Sequence, residues 1–218
     1  MFKAILDLFR QTKSADRVEN DLEAMFSLVR EIFDVCTAYI LEGTEPPFDV
    51  EAKDQEVNAL VVSVRKHVVE LVTVHPPNDL VEEFIFVTVV NDLERLGDFA
   101  KGLLDLGEGK LDGSLHLDEL RSVRDGIQVA FESVKTALFN GNRSAGEDAL
   151  ETLDKAGKTL NRLRAELLDE EGDVAPTAFA VAGLRQFVTH LKNTASPAVN
   201  PFIYIGTRRK GDAVQDED

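Results

Sequence analysis

The sequence predicts an all-α protein built from two tandem three-helix bundles. Three observations carry that expectation. Apolar residues recur at spacings of three and four over six long stretches, which is the pattern of amphipathic helices. The seven prolines and 14 glycines gather mostly between those stretches or at their ends. The plan of long helices then starts again after about 100 residues, the mark of an internal repeat. A chain of 218 residues is long enough for one large domain or two small ones sharing a core.

The first helix is predicted over about 14–41, with Val18, Leu22, Met25, Val29, Ile32, Cys36 and Ile40 on one stripe. Gly43 and the pair Pro46 and Pro47 stop it. A second helix starts near Asp49 and carries Val57, Leu60, Val61, Val64, Val68 and Leu71. His75, Pro76 and Pro77 end it, because a proline disfavours helix in the residue before it. Asn78 or Asp79 can cap a third helix, with Glu82 and Glu83 in its positive first turn. That helix carries Phe84, Val87, Val90, Leu93, Leu96 and Leu103 and stops near Gly107. Its β-branched centre suggests a strand, but the periodicity on both sides favours a buried helix.

After a glycine-rich turn over 107–116, the plan resumes. The fourth helix, about 117–139, carries Leu120, Val123, Ile127, Phe131, Val134 and Leu138 and ends at Gly141. Ser144 with Glu147 reads as a capping box for a fifth helix, which reaches about Leu168. The sixth follows Pro176 and runs to Pro197. The domains are therefore 1–107 and 116–197, followed by a strap and disordered tail over 198–218 that includes Phe202, Tyr204 and Ile205. At the other end, Phe2, Ile5, Leu6 and Phe9 share one face of Met1 to Arg10, which fits either a membrane surface or a flap on the bundle.

Composition limits the function classes. A net charge of −16 argues against nucleic acid, because such a binder needs a basic footprint. The single cysteine, Cys36, precludes an internal disulfide and falls on an apolar stripe, where a buried, inert thiol is expected. No signal-peptide pattern occurs, and the apolar run from Phe84 to Val90 is far short of the ~20 residues a membrane helix needs. A cytosolic location is the expectation.

Asn91, Glu94 and Asp98 fall at i, i+3 and i+7 and share a helix face. Such a column can offer hard oxygen donors to a divalent or trivalent cation. Asp54 and Asn58 on the second helix form a facing pair if helices two and three are antiparallel. The bland reading is a solvated acidic helix face.

The segment Asp92-Leu93-Glu94-Arg95-Leu96-Gly97-Asp98 resembles the DLERIGD signature of PhoU-family phosphate-transport regulators. Asp54-Gln55-Glu56-Val57-Asn58-Ala59-Leu60 is similar to that family's DxEINxL stretch, and His190-Leu191-Lys192-Asn193-Thr194-Ala195 to its HxxNIA stretch. The resemblance covers nearly the whole chain, in order. It implies paired three-helix bundles with spectrin-repeat-like packing, bearing metal on Glu/Asp-xxx-Asp motifs. It assigns Glu94 and Asp98 to the first motif, for iron, manganese or zinc. The second motif departs from the pattern, with Arg185 and Thr189 where carboxylates are expected, and Val61 replaces a further family glutamate. At most one cluster or a single ion is expected.

No Walker-type phosphate loop, no Glu-x-x-His pair and no nucleophile beside a base appears, so the reading is a binder, not an enzyme. His190 is read as a supporting or surface residue rather than a ligand. By resemblance the partners are a membrane phosphate transporter or its sensor kinase in a bacterial cytoplasm, with peripheral membrane association and a homodimer both compatible with the sequence. The alternative is a metal-free helical adaptor.

Overall fold

The computed structural model describes residues 13–74, 81–107, 111, 113, 114 and 116–200. Among them are six α-helices and no strand: α1 (Lys13–Glu42), α2 (Val50–Val74), α3 (Val81–Gly102), α4 (Leu117–Asn140), α5 (Arg143–Glu166) and α6 (Ala175–Val199). A 3-10 turn, Leu103–Leu106, follows α3. Among the described residues no helix is long and apolar enough to cross a membrane. The Met1 to Arg10 face, the Pro76-Pro77 stop, the Asn78 or Asp79 cap and the tail from 201 onward lie outside the described residues.

Local chemistry sets the helix ends. Asp49 caps α2, its Oδ1 accepting from the backbone N–H groups of Glu51 and Ala52 at 3.0 and 3.2 Å. Gly43 and Gly141 close α1 and α4 with φ of 67° and 70°, a left-handed turn that glycine enters without a Cβ clash. The capping box at Ser144 does not form. Asn142 is the N-cap of α5, its side chain accepting from Ala145 N at 3.1 Å, so Ser144 lies in the first turn. The helix can begin two residues earlier than that pattern suggested because Gly141 has already reversed the chain.

Helices α1, α2 and α3 pack on one another, as do α4, α5 and α6. The two sets join through α1 against α4 and α3 against α6, which leaves α2 and α5 on the outside. A cluster of phenylalanines fills the joint. Phe33 stacks on Phe187 at 4.3 Å between ring centroids, and Phe131 meets Phe26 edge-on at 5.1 Å and Phe187 at 5.7 Å. Arg30 lies over the Phe131 ring and donates to Asp34, Glu132 and the Gln128 carbonyl, covering one side of the cluster.

The buried face of α3 differs from the predicted stripe. Ile85, Phe86, Val89, Val90, Leu93 and Leu96 are buried, whereas Phe84 is 56% exposed. Because α3 touches α1, α2 and α6, it buries two adjoining faces rather than one stripe. Cys36 is fully buried, and desolvation pushes its thiol up to about 12, so it stays protonated and unreactive as expected.

Candidate functional site

The groove between α2 and α3 carries the acidic column. These helices run antiparallel in a register read from two side-chain contacts: Asp54 meets Lys101, and Arg65 donates to Asn91 Oδ1 at 2.7 Å. The first turns of α2 thus face the last turns of α3. Gly97 faces Asp54 across the groove; a Cβ there would lie 3.5 Å from Asp54 Oδ1, an ordinary contact distance.

The five predicted donors do not have equivalent surroundings. Asp54 is buried, with its side chain 4% exposed, and accepts from Lys101 Nζ at 2.5 Å. Lys101 also reaches Glu51 at 3.2 Å. Its ammonium is held above the ordinary 10.5, first by the hydrogen bond to Asp54, against an opposing desolvation, with Glu51 adding support. Asn91 is engaged by Arg65, and Asn58 is exposed. Asp98 lies 3.6 Å from Arg95 on the solvent side, a pair too exposed to hold either firmly. Glu94 is half-buried one turn before Asp98.

This donor set does not fit a multi-metal cluster. A cluster needs several carboxylates converging without a competing cation, and the buried carboxylate here is already neutralised by an ammonium. Glu94 and Asp98 alone offer hard donors at i and i+4, enough for one loosely held ion. Among the described residues, the only group of three or more His, Cys, Asp or Glu with ligand atoms within 4.8 Å of one another is His116, Glu119 and Glu166. Arg162 donates to both glutamates at 2.8 Å, so a guanidinium already occupies that cluster. Its hydrogen bond is the main cause holding the Glu119 carboxyl below its usual range.

Two segments that sequence reading treated separately meet across the joint. His190 Nδ1 donates to Asp92 Oδ1 at 2.8 Å, and Asn193 Nδ2 donates to the same oxygen at 3.2 Å. Because a carboxylate only accepts, the His190 proton lies on Nδ1. The imidazole also stacks on Phe99, 5.3 Å between ring centroids. His190 thus bridges the two sets of helices through Nδ1. Asp92 carries the bridge, and it lies off the helix face that Asn91, Glu94 and Asp98 share.

The α5–α6 groove has a matching layout and a different charge. Lys192 is paired with Asp154 across it, as Lys101 is with Asp54. Seven residues before each lysine, where α3 has Glu94, α6 has Arg185. Arg185 donates through Nε to Asn161 Oδ1 at 2.9 Å. Comparison of the chain with protein families, with curated proteins and with solved structures finds no match.

Proposed function

We propose that this chain is a PhoU-like regulator of phosphate transport or phosphate signalling, acting as a binding protein on the cytoplasmic side of a membrane phosphate transporter or its sensor kinase. One observation supports the reading above the others. Two segments that resemble family motifs, 98 residues apart at Asp92 and His190, meet in a hydrogen bond. Segments that resemble a family separately, and also touch, are better explained by one inherited arrangement than by two chance matches. The all-helical bundle fits the same reading. Iron, manganese or zinc belongs to the proposal only as a single ion on Glu94 and Asp98.

A second reading, a helical adaptor that works without metal, is favoured by the Lys101 ammonium on Asp54. It keeps the docking role and removes the ion.

The test is phosphate uptake in the source organism with the gene deleted, complemented by wild type or by the Glu94→Ala, Asp98→Ala variant. The regulator reading expects deletion to raise uptake or to misplace its response to external phosphate. Unchanged uptake and unchanged phosphate signalling in the deletion strain would reject it. Full complementation by the double variant would select the metal-free reading.

A further inference from the structure

The α5–α6 groove is a cavity of about 880 Å³, within the ~300–1,000 Å³ typical of small-molecule sites. Its lining reverses the charge of the chain. The antiparallel register, fixed by Arg185 on Asn161 and Lys192 on Asp154, places Lys158 opposite the turn between Arg185 and Lys192. Three cations thus share about two helical turns of groove, with Asp154 the one carboxylate in that stretch. Lys192 is matched by Asp154, whereas Arg185 bonds a neutral amide through Nε and leaves its two terminal nitrogens for another acceptor. Arg143 and Glu147 pair with each other and cancel at one end of the groove.

Two cations without a paired carboxylate in one groove repel one another, and a chain of net charge −16 has many carboxylates that would otherwise be set against them. The remaining lining adds donors: Gln186 is exposed on the rim, and Ser196 accepts from Asn200 Nδ2, which leaves its own proton to give. A planar guanidinium beside ammonium groups and neutral donors matches a tetrahedral oxygen dianion, which takes paired N–H bonds from arginine and point charges from lysine.

From these contacts we infer that the α5–α6 groove is a binding site for a small organic molecule bearing a phosphoryl group, with Arg185 and Lys158 on the phosphoryl oxygens. The cavity exceeds what a bare ion fills, so the organic body lies along the wall near Leu150 and Gly157. The inference rests on the charges of this groove and not on the regulatory reading; either can fail alone.

The experiment is calorimetric titration of the full chain, in low-salt buffer without divalent ions, with AMP, inorganic phosphate and succinate as probes. The expected order is AMP tighter than inorganic phosphate, and inorganic phosphate tighter than succinate. Lys158→Ala and Arg185→Gln should each weaken AMP about ten- to hundredfold, the effect of losing one charged hydrogen bond. Lys66→Ala, an exposed cation on α2 away from this groove, should leave it unchanged. Both cationic residues line an open groove, so their variants keep the fold, checked by unchanged thermal midpoints. No binding of AMP or inorganic phosphate at concentrations up to about 10 mM overturns the site. AMP affinity unchanged in Arg185→Gln also overturns it. Succinate binding as tightly as inorganic phosphate overturns the phosphoryl assignment.

Discussion

Replacing Lys101 with methionine strands a buried carboxylate. Breaking a fully buried pair by removing one partner costs about 3–5 kcal/mol, whereas an exposed pair contributes about 0–1 kcal/mol. Asp54 is 4% exposed and Lys101 30%, so water reaches one end of the pair and not the other. The expected loss lies between those limits, about 2–3 kcal/mol. At ~2–4 °C per kcal/mol for a chain of this size, the midpoint should fall by about 4–12 °C. Adding Asp54→Asn removes the stranded charge and should recover all but about 1 kcal/mol, since a neutral polar pair costs far less to bury. Urea denaturation of the four proteins in the cycle measures the coupling.

The pH dependence has a definite sign. Because the folded ammonium of Lys101 sits above 10.5, its contribution is complete below that value and is lost as pH rises through the folded value. The gap between wild type and Lys101→Met should therefore be flat around neutral pH and close only in strong alkali. A metal bound at Asp54 would give the opposite pattern: chelator would destabilise wild type, and Lys101→Met would be silent. Loss of under about 0.5 kcal/mol in Lys101→Met, a surface-substitution value, would refute the reasoning.

Two further outcomes follow from the fold. Phe131→Ala opens a cavity where α1, α4 and α6 meet and should cost about 3–5 kcal/mol; two separate unfolding transitions in wild type would contradict the shared core behind that figure. Asn142→Ala should cost about 1 kcal/mol and Ser144→Ala less than about 0.5, in the same urea assay; the reverse order would restore the cap to Ser144.

Helix positions were legible because their ends are written in single residues. Gly43, Asp49 and Gly141 act locally, and the stripe of α1 repeats over a length that no strand reaches. The phase of α3 was not legible. Between Phe84 and Val90 almost every residue is apolar, so a helix buried on two faces gives no contrast from which to read its orientation. The cap of α5 was misread because asparagine and serine are both good caps and stand two residues apart.

The site was legible in part. The facing of α2 and α3 followed from antiparallel packing. The occupant of Asp54 did have a signal: Lys101 is three residues after Asp98 and belongs to the same column. A search for oxygen donors looks past it. The Asp92 bridge and the bond from Arg162 to Glu119 had no such signal, because each joins helices whose contact the local pattern does not encode.

The stack of Phe99 on His190 carries a consequence for symmetry. Each aromatic ring stands two residues before the lysine that crosses its own groove, Lys101 or Lys192. The two rings stack on each other where the two sets of helices meet. Because one chain carries both sets, the two sides need not match: phenylalanine stands on one and histidine on the other, with a groove bearing Glu94 beyond the first and a groove bearing Arg185 beyond the second. The covalent connection thus permits a division of labour that a symmetric pair of identical subunits could not have.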